Sequence, residues 1–203
     1  MSDDGGRSAK RPGRPRSASR DDVRAVAMAL FEQQGYAATS LAQIARAVGV
    51  GRTTLFSYFP AKRDLMWGEL DSRTERMRQS LAASTDLPPM EVIVAAILAL
   101  SHYSAADRAA FTARWRIVDA DDELRATVAL RRAELSREIL DGVHRRAPEL
   151  DRERVGDVVH ALMAIGERAT SEWADAAEVS EGLDTYMARR LEPFVVVLRP
   201  LLG

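Results

Sequence analysis

At 203 residues with 46% hydrophobic side chains, the chain can bury a sizeable core in one large domain or two smaller ones. It contains no cysteine, which excludes a disulfide framework, a thiolate nucleophile and a thiolate metal site. The net charge of −1 conceals a split: residues 1–62 hold 10 Lys/Arg against 5 Asp/Glu, and the remainder 19 against 25, so a polyanion is drawn to one end of the molecule rather than to its whole surface.

Residues 1–19 are rich in Gly, Ser, Pro and Arg and lack hydrophobic periodicity, which predicts a disordered arm. Arg7, Lys10, Arg11, Arg14, Arg16 and Arg20 follow one another with no acid between them. The string Pro12-Gly13-Arg14-Pro15-Arg16 is similar to the AT-hook pattern, which implies that Arg14 and Arg16 enter an A·T minor groove. A solvated basic tail with no specific contact is the alternative. The first helix is expected from a cap at Asp21 or Asp22 to about residue 34, with Val23, Val26, Ala27, Leu30 and Phe31 inward and Gly35 ending it.

The stretch 39–62, TSLAQIARAVGVGRTTLFSYFPAK, is the most informative in the chain. Thr39 or Ser40 can cap a short helix in which Leu41, Ile44, Ala45 and Val48 share a face. Gly49 suits the left-handed residue that ends it, and Val50 the angle that follows. A second helix over 51–58 turns Leu55 inward, with Phe59 behind it, before Pro60 stops it. Helix, glycine turn and second helix make the sequence form of a helix-turn-helix, although a surface helical hairpin has the same spacing. Arg52, Thr53, Thr54 and Ser57 on the outer side are candidates for base edges, being short or hydrogen-bonding enough for a major groove. Thr39, Tyr58 and Lys62 are candidates for phosphate oxygens. Ser40, Gln43 and Gly51 complete the candidate DNA-binding set.

Beyond the motif the spacing predicts helices over about 62–83, 88–102, 105–118, 121–146, 151–173 and 181–201, with Pro193 expected to kink or split the last. No useful strand alternation occurs, so the predicted fold is all-α with about nine helices. It divides into a basic arm (1–19), a three-helix helix-turn-helix domain (20–66) and a C-terminal helical ligand-binding and dimerisation domain (67–203). Residues 92–100 are apolar throughout, which predicts a helix buried at the centre of the body. That run of nine is the longest in the chain, far short of the ~20 needed to span a bilayer. The N-terminus shows no secretory pattern, so a cytoplasmic protein without membrane contact is expected.

Two helices offer apolar faces for a homodimer: Val155, Val158, Val159, Leu162, Ile165, Ala169 and Trp173 on one, with Gly156, Ala161, Ala164 and Gly166 allowing close approach, and Leu183, Tyr186, Met187, Leu191, Phe194 and Leu198 on the other. Paired across two subunits they would form a four-helix bundle. His102, Tyr103, Phe111, Arg114, Trp115, Met163 and Trp173 are candidates for a small-molecule pocket, with His160 a further polar anchor; ordinary core or surface placement is the alternative. No phosphate-binding loop, HExxH or GxSxG occurs, so no enzyme and no cofactor are expected. The pairs Asp141/His144 and Asp157/His160 have ligand spacing, but a bundle metal site would need carboxylates from two further helices, and no metal is expected.

Phe31, Gly35, Thr39, Ile44-Ala45, Gly49-Val50, Thr54-Leu55-Phe56, Phe59 and Lys62 together resemble the DNA-binding domain of the tetracycline-repressor (TetR) family of bacterial transcriptional regulators. The string TLFSYFPAK is similar to that family's TLYxHFxxK signature, with Phe56 in place of the usual tyrosine and Tyr58 in place of the usual histidine. The resemblance implies a homodimeric repressor on a palindromic double-stranded operator, released by a small-molecule effector. It also implies that the helix expected over 62–83 links head to body. The segments WGELD and RAAFTARWRIVDADDELRA resemble the subgroup of mycofactocin-type regulators, which implies an acyl-type ligand and phosphate contacts for Arg114 and Arg116. A DNA-binding architectural protein without a ligand would share the head and lack a cavity.

Overall fold

The computed structural model describes residues 18–203, so Arg14, Arg16 and the AT-hook-like string lie outside the described residues. Among the described residues there are nine α-helices and no strand, as the periodicity predicts. Three form the head: α1 (Arg20–Gln34), α2 (Leu41–Val48) and α3 (Arg52–Tyr58). The cap of α1 is Ser19 rather than an aspartate. Its hydroxyl accepts from the Asp22 N–H while the Asp22 carboxylate accepts from the Ser19 N–H, a reciprocal pair that satisfies two orphan donors. Ser40 caps α2 in the same way with Gln43.

Gly49 ends α2 with φ 76° and ψ 27°, the left-handed conformation expected of it. Gly49→Ala is expected to cost about 1–2 kcal/mol, seen as a fall of about 2–8 °C in thermal midpoint. Gly51→Ala is the control, because Gly51 has φ −66° and only Thr54 Oγ1, at 3.8 Å, near an added Cβ. Equal losses in the two variants would remove the backbone explanation.

The helix expected over 62–83 is two pieces. A 3₁₀ turn (Lys62–Met66) is followed by Trp67, at φ −105° and ψ 1°, and then by α4 (Gly68–Ala83). Asp64 accepts from the Ala61 N–H, which fixes the turn. The break lets Leu65, Met66 and Trp67 all turn inward, 2%, 2% and 5% exposed, which one continuous helix could not do with three successive residues. Gly68 leaves room for the Arg24 guanidinium of α1, 2.1 Å from where a Cβ would stand.

The body is α5 (Pro89–Leu100), α6 (Arg108–Asp119), α7 (Asp122–His144), α8 (Arg152–Asp175) and α9 (Leu183–Leu198). Helix α5 packs on α4, α7, α8 and α9, the central place its apolar run predicts. No single helix among the described residues is long and apolar enough to cross a membrane. Helix α9 runs through Pro193 without a break. Pro193 removes the N–H that would bond the carbonyl one turn back, and it lies on an exposed face.

Much of the apolar face expected at the dimer seam is covered within one chain, while Ala161, Ala164, Ile165, Tyr186, Phe194 and Leu198 stay at least partly exposed. Val155, Val158, Val159, Leu162, Ala169 and Trp173 are all at most 1% exposed within one chain, and Gly166 packs 3.3 Å from Met187 Sδ. These residues belong to the body's own core, as do Leu183, Met187 and Leu191 of α9. Phe194 of the expected face stays open (42%), joined by Val196 (66%), Val197 (72%) and Leu201 (43%).

Candidate nucleic-acid interface and effector cavity

Helix α3 is held by one side and presented by the other. Leu55 (0%) and Phe59 (1%) lie in a core with Ile44, Ala45, Phe31 and Val23. Arg52, Thr53, Thr54, Phe56 and Ser57 are exposed, and Gly51 enters the helix in an extended conformation. The Ser57 hydroxyl donates to the Thr54 carbonyl one turn back, leaving its lone pairs outward. Ser40 and Gln43 are occupied with capping α2. Tyr58 is half-buried, with the guanidinium of Arg20, the first residue of α1, 5.6 Å from its ring centre. Phe56 contributes an apolar ring, 42% exposed, where the resemblance leads one to expect a phenol.

Thr39 departs from the expected phosphate role. It is 1% exposed; its hydroxyl donates to the Gly35 carbonyl at 2.8 Å and accepts from Gln34 Nε2 at 3.0 Å. The hydroxyl therefore fixes the turn between α1 and α2.

Lys62 has a partner within the chain, Tyr36, which spacing alone does not disclose. Its Nζ donates to the Tyr36 carbonyl at 2.7 Å and lies 4.0 Å from the Tyr36 ring centre. Burial pulls the Lys62 ammonium below its ordinary pKa, while Asp121 and Glu123 oppose that shift. Burial, then Glu123, pushes the Tyr36 phenol up to about 12. Arg63 reaches Glu123 at 2.9 Å, so this corner joins head to body. Lys62→Ala is expected to weaken DNA binding for every sequence and lower the slope of log K against log salt by about one, together with a lower thermal midpoint. A lower midpoint with an unchanged slope would assign Lys62 to the joint alone.

A cavity of about 180 Å³ lies in the body against the head. Tyr103, Phe111, Arg114, Trp115 and Met163, all expected at a pocket, line it together. His102 and Trp173 do not. His102 is exposed, with Nδ1 3.2 Å from Asp184 Oδ2. Trp173 stands behind the wall, its ring centre 5.7 Å from that of Phe111 and its indole N–H donating to the Glu181 carbonyl at 3.1 Å. His160 and Arg116 are also exposed and lie outside the lining.

Arg73, Arg131 and Arg132 join Arg114 in the cavity wall. Arg114 binds the Glu69 carboxylate through both terminal nitrogens, at 2.5 and 2.7 Å. Those bonds hold Glu69 below the usual carboxylate range, against the opposing effect of burial. A depressed carboxyl stabilises the fold above its unfolded pKa, and that contribution is lost as pH falls through the lowered value. Arg73 lies over the Tyr103 ring at 4.3 Å and donates to the carbonyls of Leu100 (3.0 Å) and Glu69 (3.3 Å). Arg131 pairs with Asp71 at 3.3 Å and lies 5.9 Å from the Trp67 ring centre; Arg132 pairs with Glu167. The signal for these arginines is register: Leu70, Arg73 and Met77 fall on one face of α4, and Val128, Arg131, Arg132 and Leu135 on one side of α7.

These features define the class as a helix-turn-helix protein: an exposed seven-residue recognition helix on a small core, carried by a helical body with a cavity. Residues 23–66 match the family model described as bacterial regulatory proteins, tetR family. The head of this chain is thus similar to that of the tetR family of bacterial regulatory proteins. The chain is 30% identical over 118 residues to MftR of Mycobacterium tuberculosis, a protein whose description assigns it to transcriptional regulation of mycofactocin biosynthesis. That match covers 57% of this chain and 59% of MftR. Over 67 residues it is 42% identical to the HTH-type transcriptional repressor ComR of Escherichia coli, covering 33% of this chain and 32% of ComR. The matches thus span less than two thirds of either relative. Among solved structures, Thermus thermophilus FadR, a TetR-family transcriptional repressor in complex with lauroyl-CoA, shares the fold with a TM-score of 0.54 at 23% identity, over 88% of this chain and 93% of FadR.

Proposed function

We propose that this chain is a homodimeric transcriptional repressor that binds a palindromic operator and is released from it by a small apolar or acyl-type ligand. Arg52, Thr53, Thr54 and Ser57 read or approach base edges in the major groove, and Tyr58 and Lys62 meet phosphates. One observation supports the coupling above the rest. Met66, Trp67 and Val118 line the cavity and are also members of the buried cluster that holds Leu55 and Phe59. A ligand that favours a different packing of those three side chains therefore favours a different seat for the recognition helix. It can lower operator affinity by no more than its preference for one arrangement over the other. MftR's description as a regulator and the lauroyl-CoA bound to FadR agree with this reading.

The test is a footprint of the purified protein on the DNA upstream of its own coding sequence, repeated with candidate small molecules. Protection of two half-sites about 34–36 Å apart, or a multiple of that, is expected, with loss of protection on adding an effector. Absence of protection at low ionic strength would overturn the reading. Protection unchanged by every ligand would leave a DNA-binding protein without an effector.

A further inference from the structure

We infer that the cavity takes a free organic acid, a carboxylate on a small apolar body, with its carboxylate against Arg73 on the face of Tyr103. The inference rests on reading the cavity as the effector site and names the chemistry of what enters it.

Charge is the first observation. Four arginines line the cavity, at 73, 114, 131 and 132. Three of them meet carboxylates: Arg114 with Glu69, Arg131 with Asp71 and Arg132 with Glu167. Arg73 is bonded instead to two neutral carbonyls, those of Leu100 and Glu69. A guanidinium cannot shed its proton to escape burial, so the wall keeps one positive charge beyond its ion pairs. Two carbonyl bonds leave further guanidinium N–H groups to donate, and a carboxylate accepts such donors in pairs.

A second donor points the same way. Trp67 is 5% exposed, lines the cavity, and its Nε1–H is buried without an acceptor. Buried N–H groups ordinarily have partners, and an oxygen-bearing ligand would supply one. Apart from Ser101, Thr170 and Glu167, the last held by Arg132, the remaining lining is largely apolar, including Leu70, Ile97, Leu100, Trp115, Met163 and Met187, which suits a hydrocarbon or aryl body. Size and charge placement favour the free acid over a coenzyme A thioester. At about 180 Å³ the cavity admits a short acyl chain or one ring. The thioester carbonyl is neutral, and its charges lie on phosphates that would remain outside.

The experiment titrates the full-length protein with octanoate, 1-octanol and octanoyl-CoA. It follows tryptophan fluorescence, since Trp67 and Trp115 both line the cavity, and operator binding in parallel. Octanoate is expected to bind about 10-fold or more tightly than octanol, the discrimination a charge-assisted hydrogen bond supplies. Arg73→Met is expected to remove that preference, and Arg73→Lys to keep part of it, with circular dichroism confirming that both variants fold. Should Arg73→Met misfold, the wild-type comparison and the Lys variant carry the test. Equal binding of octanoate and octanol would overturn the anion site while leaving an effector cavity. Binding of octanoyl-CoA without octanoate would also overturn it, by placing the charge outside. Silence from all three probes would overturn it as well, whereas the effector reading stands or falls on the footprint with other molecules.

Discussion

A chain carrying both Phe194→Asp and Val197→Asp is expected to sediment as a monomer and to bind its operator about 100-fold or more weakly than the parent. The reason is arithmetic on two half-sites. Linking two reading heads turns the second binding event into an intramolecular one and raises avidity by about 10²–10⁴; a monomer forfeits that factor. The choice of residues follows from what the fold leaves uncovered. Phe194 and Val197 are 42% and 72% exposed on α9, beside Val196 at 66% and Leu201 at 43%. Covering a large apolar side chain stabilises association by about 1.5–3 kcal/mol, and a carboxylate in its place would have to be stripped of water.

The same exposure makes the experiment readable. Neither side chain belongs to the core of one chain, so the helical signal of the monomer should survive and loss of binding will not be a folding artefact. Sedimentation velocity gives the mass and a gel-shift titration gives the affinity. A variant that stays dimeric would move the seam elsewhere, and a monomer with parental affinity would remove the two-half-site account.

The seam also shows where sequence reading stops. The apolar periodicity of α8 is real, yet it cannot say whether the neighbour is another helix of the same chain or of a second one. Val158, Val159 and Leu162 face the body's own core, at most 1% exposed, and Gly166 makes room for Met187 rather than for a partner. Of the residues left open, Phe194 lies on the helical stripe with Leu191 and Leu198, whereas Val196 and Val197 lie off it. Element types were legible because each rests on local chemistry: Ser40 with Gln43 at the start of α2, and Gly49 at its end. The break at Trp67 was not, since residues 62–83 carry a helical pattern on both sides of it. Only the need to bury Leu65, Met66 and Trp67 together overrides that pattern.

The candidate sites divide along the same line. The outward face of α3 could be read from spacing because its opposite face is set by Leu55 and Phe59, both local to the motif. The phosphate roles expected of Thr39 and Lys62 left out what each touches within the chain, Gly35 and Gln34 for one and Tyr36 for the other, because those contacts follow from tertiary packing rather than spacing. The cavity aromatics stand out by type. Arg73 did not, because a charged side chain within an apolar register reads as solvent-facing until the tertiary fold covers it.

Arg52→Ala is expected to cost about 1–3 kcal/mol against the best operator, roughly 5- to 150-fold, and to cost far less against operators altered at one base pair. Arg52 opens α3, is exposed, and follows Gly51, which places no side chain between the start of the helix and a bound duplex. A guanidinium there can form two parallel bonds to a guanine edge, the commonest specific contact in a major groove. Thr53, Thr54 and Ser57 are short and give smaller individual effects. The discriminating quantity is the ratio of affinities across a set of single-base operator variants, measured at one salt concentration. A base contact makes that ratio collapse at one position of each half-site. A phosphate contact lowers all affinities together and reduces the salt slope by about one. Arg52→Lys separates the two further, because an ammonium keeps the charge but cannot reproduce the planar fork. Loss of affinity that is uniform across the operator set in Arg52→Ala and fully restored by Arg52→Lys would make Arg52 a backbone anchor and leave base reading to Thr53, Thr54 and Ser57.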